Sequence, residues 1–278
     1  MRVLAVCLAL VSSACLDLAG ADLGRYVERQ EQHFSVGGRP DVAVSTFDGA
    51  VEVRVWDRPD VEVVVEKHAS SKESAATIAV EAQQSGNHVS VDVRVPRQSG
   101  FHLSRSAKLI VLVPAAADLT AKSGDGSIDV ERIHGRLDLH SGDGTIKARS
   151  IDGDVTVSTG DGSIDVTGAI GALRARSGDG SITIAASGGD HAGDWEIDTG
   201  DGSVTLSLPK TFGAELDAHT GDGGVRLEDV SVSNVNGEIR RNRVKGRLGE
   251  GGRALRIRTG DGSITLRSAR PSETGGSR

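Results

Sequence analysis

Cysteine, methionine and aromatic residues are scarce in this chain of 278 residues. It has two cysteines, one methionine and 3% aromatics. Both cysteines, Cys7 and Cys15, lie at the N-terminus, so the rest of the chain cannot form a disulfide. Large rings normally fill the core of a globule of this size. Their absence predicts a thin core of Ile, Val, Leu and Ala, which is only one or two side chains wide.

Long apolar runs are also missing. The stretch from Val3 to Val11 is apolar but too short to span a bilayer, and with Arg2 before it the N-terminus is typical of an export signal. Ser12-Ser13-Ala14-Cys15 resembles a bacterial lipobox, which predicts a signal peptide over residues 1–14 and lipidation of Cys15. Ala19-Gly20-Ala21 offers an alternative cleavage site that would release a soluble protein, and a retained anchor is a third possibility.

An excess of positive charge is absent as well. The formal net charge is −7, which excludes generic attraction to nucleic acid. The sequence has neither a P-loop lysine nor a dinucleotide-binding fingerprint, so no cofactor is expected. Its eight histidines are scattered without zinc-ligand spacing.

The tripeptide Gly-Asp-Gly, in contrast, occurs seven times, mostly between Ser or Thr residues and followed by Ile or Val. The copies begin at Gly124, Gly142, Gly160, Gly178, Gly200, Gly221 and Gly260. The first four are 18 residues apart, and the later gaps are 22, 21 and 39 residues. A fixed period of this kind indicates a stack of similar units.

Each period contains two short alternating segments and two turns. Ile128, Ile146, Ile164 and Ile182 recur at one position of the period, so stacking places them in a single ladder. The pattern therefore predicts an all-β fold: a right-handed, single-stranded β-solenoid (β-helix) with about 18 residues per coil and a less regular N-terminal β cap.

The remaining segments suggest the domain boundaries. We expect a tether over residues 15–32, an N-terminal β lead-in or cap over 33–113, and the regular solenoid over 114–267, with an insertion at 231–257 and a disordered tail at 268–278. Ser85-Gly86-Asn87 predicts a hairpin turn, and residues 70–82 fit either a short helical turn or a strand.

Several of these motifs together resemble the bacterial putative-adhesin domains of unknown function. They are the lipobox-like leader, Phe47-Asp48-Gly49, Ser106-Ala107-Lys108-Leu109, the reiterated Ser/Thr-Gly-Asp-Gly-Ser-Ile frames, and the late segment from Gly246 to Gly252. The resemblance covers residues 33–267. It implies an exported β-solenoid without established catalytic residues.

The repeated residues have a structural explanation. Glycine permits positive φ at a sharp corner, Asp can accept hydrogen bonds from nearby amides, and the following Ser or Thr suits an outward ladder. A calcium site is the functional alternative, because carboxylates at one edge could be bridged by a cation. The carboxylates concerned are Asp125, Asp143, Asp161, Asp179, Asp201 and Asp222. Their identical repetition favours a structural role over catalysis, so we predict no enzyme.

A basic run stands out late in the chain. Arg240, Arg241, Arg243, Lys245 and Arg247, followed by Arg253, Arg256 and Arg258, have few acids near them in the sequence. The run could protect a sheet edge, or it could contact an anionic envelope polymer or lipid headgroups. Trp56 and Trp195 could close a coil end or cover the core.

We therefore expect a non-enzymatic, exported protein of the cell envelope, periplasmic, in the outer membrane or at the cell surface. It would be an adhesin-like scaffold or interaction protein, with an unknown envelope protein or polymer as partner and a possible lipid anchor in the membrane. The alternatives are a stress or sensory protein that binds a ligand or regulatory partner, and third, a polysaccharide-active enzyme.

Overall fold

The computed structural model describes residues 26–96, 105–188, 193–233 and 240–269. The proposed signal peptide, Cys15, the first part of the tether and residues 270–278 of the tail lie outside the described residues. Within the described residues the chain is all-β, and its strands belong to one open sheet. The described part contains no helix long and apolar enough to cross a bilayer.

The N-terminal strands are β1 (Tyr26–Phe34), β2 (Asp41–Thr46), β3 (Val51–Val55), β4 (Val61–Ala69), β5 (Ala79–Ser85), β6 (His88–Arg94) and β7 (Ser106–Val113). The central strands are β8 (Asp118–Ser123), β9 (Ile128–Glu131), β10 (Leu137–Ser141), β11 (Ile146–Thr159), β12 (Ile164–Ser177), β13 (Ile182–Ala186), β14 (Trp195–Thr199) and β15 (Val204–Leu208). The C-terminal strands are β16 (Ala214–Thr220), β17 (Val225–Glu228), β18 (Val232–Ser233), β19 (Arg243–Leu248), β20 (Arg253–Thr259) and β21 (Ile264–Ser268).

Two long series of parallel strands run through the molecule. The first series is β6, β2, β8, β10, the end of β11, the end of β12, β14, β20 and β16. The second series is β7, β3, β9, the start of β11, the start of β12, β13, β15, β21 and β17. The strong alternation of apolar and polar residues in these strands explains why one face of each series is buried.

The predicted isoleucine ladder is present. Ile128 pairs with Ile146, Ile146 with Ile164, and Ile164 with Ile182, each in parallel register. All four side chains are buried in one continuous core of small and branched aliphatic residues. Because most strands contribute aliphatic side chains to the core, the few aromatic residues that join them, among them Phe34 and Trp195, are enough to complete it.

The order of strands in the stack differs from their order in the chain at both ends. β20 and β21 come last in the sequence, yet they lie between the β14–β15 pair and the β16–β17 pair. At the other end, β2 and β3 lie between the β6–β7 pair and the β8–β9 pair. At each end of the stack, the outermost pair of parallel strands therefore comes from a more internal part of the chain. The pair that is nearer the chain terminus lies one position further in.

Antiparallel strands cover parts of both ends. β4 pairs with β7, β1 pairs with β4, and β5 forms the predicted hairpin with β6. The ambiguous segment contains both expected elements, since the helix α1 (Lys72–Ala76) precedes β5 and Ser71 caps its N-terminus. At the opposite end β19 pairs with β16.

Two expected boundaries need correction. Residues 26–32, which we assigned to the tether, belong to β1, where the buried Lys67 of β4 forms an ion pair with the half-buried Glu28 at 3.2 Å. The predicted insertion at 231–257 also includes part of β20, a central strand of the first series. In both cases the strand could not be recognised from the sequence, because its charged residues pair with residues that lie far away along the chain.

Candidate functional site

The glycines of the Gly-Asp-Gly corners are required by close approach between neighbouring coils. A Cβ atom on Gly142 would lie 2.3 Å from the carbonyl oxygen of Gly124, and one on Gly144 would lie 2.2 Å from that of Gly126. We expected positive φ at these corners, and this expectation was wrong. The described glycines with positive φ are at other positions, among them Gly49, Gly153 and Gly168. Glycine is needed at the corner because a side chain would collide with backbone.

At most corners, the Ser or Thr that precedes the corner accepts the amide hydrogen bond that we expected Asp to accept. Ser141 is buried; its hydroxyl donates to the carbonyl of Gly126 at 2.9 Å and accepts from the amide of Gly144 at 3.0 Å. The same donor contact, at 2.7–3.0 Å, is made by Thr159, Ser177, Thr199, Thr259 and Thr220. This hydroxyl points inward and the Asp side chain points outward, so only the hydroxyl reaches the amide.

The Asp side chains form an exposed column along one edge of the stack. Asp125 Oδ1 lies beside Gly142 of the next coil, and Asp143 Oδ1 lies beside Gly160. Since Gly260 sits between Gly200 and Gly221 in the stack, Asp261 belongs between Asp201 and Asp222. Sequence reasoning omitted Asp261 from the column, although the seventh Gly-Asp-Gly was visible. Within the described residues, no group of three His, Cys, Asp or Glu side chains could hold a metal ion.

The outer face of the first series carries two adjacent columns of charged or titratable residues, and the first of them alternates in sign. In register, Arg174 is followed by Glu196, Arg256, Asp217 and Lys245, one residue per strand. The neighbouring column contains Arg176, Asp198, Arg258, His219 and Arg243. We name this double column the charged face.

Ion pairs tie the charged face together across strands. Glu196 accepts from Arg174 Nε at 3.1 Å and from Arg176 Nη2 at 3.0 Å. Asp217 lies 3.2 Å from Lys245 Nζ and 3.5 Å from Arg243 Nη2. Such contacts fix the positions of the side chains more than they stabilise the fold, since exposed pairs contribute about 0–1 kcal/mol each.

The two carboxylates of β14 differ electrostatically. Partial burial opposes ionisation of Glu196, but the hydrogen bond from Arg176 and the charge of Arg174 outweigh it and lower the pKa of Glu196. Burial raises the pKa of Asp198, and the neighbouring Glu196 adds to the effect, while Arg176 and Arg258 offset it only in part. Ionisation of Asp198 therefore destabilises the folded state.

Acidic side chains of β16 offset the charge of the basic run more than the sequence indicated. Lys245 and Arg243 face Asp217, and Arg247 Nε lies 2.7 Å from Glu215 Oε1. We expected few opposing acids, and this was wrong because β16 and β19 pair in antiparallel register although about 30 residues separate them. Arg240 and Arg241 are exposed at the turn that precedes β19.

A depression of about 360 Å³ lies on the same face, beside the charged columns. Its walls include Arg136, Asp154, Arg174, Glu196 and Arg256, and the small side chains of Ala172 and Ala254 leave the space open. Asp154 and Asp194 accept hydrogen bonds from the amides of Ala172 and Ala254, both at 2.8–2.9 Å, which holds these carboxylates in place. The depression thus offers fixed charges of both signs to a polar ligand.

Both tryptophans make contacts that stabilise the fold, although only Trp195 belongs to the core. Trp195 is buried, its Nε1 donates to the carbonyl of Gly171 at 2.9 Å, and its ring packs edge-on against Phe212 at 5.0 Å. Trp56 donates to the carbonyl of Asp60 and lies under the guanidinium of Arg58. The loop at 187–194 lies partly outside the described residues.

Comparison with known proteins gave one family match in sequence and several similar solved structures. No curated protein matches the chain in sequence. A crystal structure of a putative cell adhesion protein from Clostridium sporogenes is similar, with a TM-score of 0.38, 12% identity, and coverage of 86% of this chain and 99% of that chain. A putative adhesin from Bacteroides fragilis is similar with a TM-score of 0.39 and 11% identity, over 86% and 96% of the two chains. In sequence, residues 135–267 match the family Toastrack DUF4097.

Proposed function

We propose that this protein is an exported, adhesin-like scaffold of the cell envelope that uses the charged face to hold a polar partner. The observation that carries the proposal is the fixed alternation of Arg174, Glu196 and Arg256 around the depression. The three residues sit on neighbouring strands, so their spacing cannot change without breaking the sheet. A rigid array of this kind suits recognition of an envelope protein or polymer that carries charges of both signs.

Three features favour binding over catalysis as the main role. The backbone is fixed by parallel ladders along the whole stack, the charges are held in cross-strand pairs, and the Asp column repeats one residue type. A binding surface benefits from such preorganisation because little entropy is lost on association. We further propose that the stack is a right-handed solenoid with about 18 residues per coil. The register of the central strands supports the coil length, and the general handedness of parallel crossovers supports the right hand.

The experiment measures binding of the full-length protein to isolated envelopes. Arg174→Glu together with Arg256→Glu reverses two charges beside the depression and should weaken binding at least about tenfold. Lys147→Glu together with Arg226→Glu makes the same change in net charge on the outer face of the second series, and serves as the matched control. Equal binding by the two double variants would refute a role for the charged face.

Anchoring is a separate part of the proposal. We infer from the lipobox-like segment that Cys15 is lipidated and holds the protein at a membrane. Palmitate labelling of the wild type and of Cys15→Ser, with the mass of the mature N-terminus, distinguishes the three possibilities. Label that depends on Cys15 supports the anchor, cleavage after Ala21 supports a soluble protein, and an intact N-terminus supports a retained signal.

A further inference from the structure

A serine, a histidine and an aspartate lie in contact on the outer face of the first series, next to the depression, whose wall includes Thr156, the register partner of Asp138. His140 of β10 and Ser158 of β11 are register partners on neighbouring strands. His140 Nδ1 lies 2.6 Å from Ser158 Oγ, and His140 Nε2 lies 2.6 Å from Oδ1 of Asp138. The imidazole therefore bridges a hydroxyl and a carboxylate, which is the arrangement of a nucleophile, a base and an orienting acid.

The contacts define which imidazole nitrogen can act as the base. The carboxylate of Asp138 favours a proton on Nε2, although its Oδ1 lies off the direction of a linear hydrogen bond. Nδ1 is then unprotonated and accepts the hydrogen bond from Ser158 Oγ. Asp138 is a positioning residue in this arrangement, because it acts on Ser158 only through His140.

The strand that follows β11 in the stack carries a basic residue at the position of Ser158. Arg176 is the register partner of Ser158 on the following strand, so their backbones are about 4.8 Å apart. Arg176 contacts Glu196 through Nη2 and Asp198 through Nε, and neither contact involves its Nη1 amino group. Both acids are on β14, on the far side of Arg176 from Ser158, so Arg176 adds positive charge near the site rather than a placed hydrogen-bond donor.

We propose that Ser158 and His140, positioned by Asp138, form an esterase site for small acyl groups. The side chains of His140 and Asp138 are 38% and 40% exposed, so the site opens directly onto the outer face of the sheet. An open face can receive an acetyl-type ester that projects from a large carrier. It does not enclose a long acyl chain, which limits the substrate class to esters of short carboxylic acids.

The reaction proceeds in two balanced steps. Ser158 Oγ forms a bond to the carbonyl carbon, its proton passes to His140 Nδ1, and the bond to the alcohol oxygen breaks as that oxygen takes the proton from Nδ1. Water then attacks the acyl-enzyme and gives its proton to Nδ1. The bond between the acyl carbon and Oγ breaks, Oγ recovers the proton, and the carboxylic acid leaves.

The test is covalent labelling of the full-length protein with a fluorophosphonate probe, located by peptide mass spectrometry, together with hydrolysis of p-nitrophenyl acetate. We expect the adduct on Ser158 and its loss in Ser158→Ala. His140→Gln should slow labelling by about 10²-fold or more, as for removal of a general base. Asp138→Asn should slow labelling less than His140→Gln while the melting temperature stays unchanged.

The segment between β9 and β10 offers a matched control. His134 Nδ1 lies 3.2 Å from Asp152 Oδ2, so His134→Gln removes a similar His–Asp pair that has no serine in its described contacts. That variant should label like the wild type. The proposal is overturned if Ser158 is not labelled, if His140→Gln and His134→Gln label equally, or if Ser158→Ala hydrolyses the ester at the wild-type rate.

Discussion

Gly260 donates its backbone amide to the carbonyl of Gly200, which lies 60 positions earlier in the chain. The amide of Gly221 in turn bonds to the carbonyl of Gly260 at 2.7 Å. The last Gly-Asp-Gly corner is therefore the second to last in the stack. This placement makes the C-terminal strands an internal part of the fold, and the fold should depend on them accordingly.

Removal of residues 253–278 should disorder more than the segment removed. β14 and β16 both pair with β20, so truncation deprives β16 and β19 of their connection to the stack. We expect hydrogen exchange in β16, β17 and β19 to become as fast as in an unfolded chain. Removal of residues 270–278 alone is the control. Retained protection of β16 in the longer truncation would show that the stack can close without β20.

Gly142→Ala should destabilise the fold by about 1–3 kcal/mol or more, because the added Cβ would lie 2.3 Å from a backbone oxygen that cannot move freely. Gly188→Ala is the control, since a Cβ there meets nothing within 4 Å. Chemical denaturation monitored by circular dichroism gives both free energies of unfolding. Equal values for the two variants would mean that neighbouring coils can separate locally at little cost.

The sequence predicted the ladders well and the stacking order poorly, and the reason lies in the repeat itself. Ile128, Ile146, Ile164 and Ile182 reveal the buried face because alternation is a local property. Every corner, however, presents the same Gly-Asp-Gly surface to its neighbours, so Gly260 fits above Gly200 as well as Gly221 would. The largest irregularity in the spacing is the gap of 39 residues before Gly260, and it does not indicate where the last coil inserts.

The charged face and the Ser158 site were invisible in the sequence for a related reason. Glu196 and Arg256 are 60 residues apart and become neighbours only because β20 inserts beside β14. Ser158 and His140 are separated by one period of 18 residues, so their contact depends on the register of β10 and β11. The roles of Ser141 and its equivalents were missed because Asp is the more familiar acceptor in turns.

Ser141→Ala should cost about 1–3 kcal/mol of unfolding free energy. The substitution leaves the carbonyl of Gly126 and the amide of Gly144 without the hydroxyl, in a place that water reaches poorly. Ser181→Ala removes an exposed hydroxyl from the outward position after a corner, and should change stability by less than about 0.5 kcal/mol. Thermal unfolding of both variants checks the difference, and a Ser181→Ala effect as large as that of Ser141→Ala would contradict it.

Glu52 should stabilise the protein above about pH 4 and lose this effect as the pH falls. The hydrogen bond from Lys108 lowers the pKa of Glu52; burial opposes the shift, and the charges of Lys108 and Arg54 add to it. Glu52→Gln should therefore be less stable than the wild type at pH 7, and the gap should narrow below pH 4. Urea unfolding at a series of pH values measures the gap, and a constant difference would exclude ionisation as its cause.

The ionisation of Asp198 should have the opposite effect on stability from that of Glu52. Burial and the neighbouring Glu196 raise the pKa of Asp198, so the folded state binds a proton more readily than the unfolded state does. Stability is then lost as the pH rises from the ordinary Asp pKa, about 4, to the raised value, and the loss persists at neutral pH. Asp198→Asn should be more stable than the wild type at pH 7 and equal to it below pH 3.

Glu196→Gln provides the internal check, because it removes the nearby negative charge. It should lower the raised pKa of Asp198, so the stability gained by Asp198→Asn should be smaller in the double variant. If Asp198→Asn is instead destabilising at pH 7, the charged contacts with Arg176 and Arg258 outweigh burial, and β14 is held in place by its ionised carboxylates.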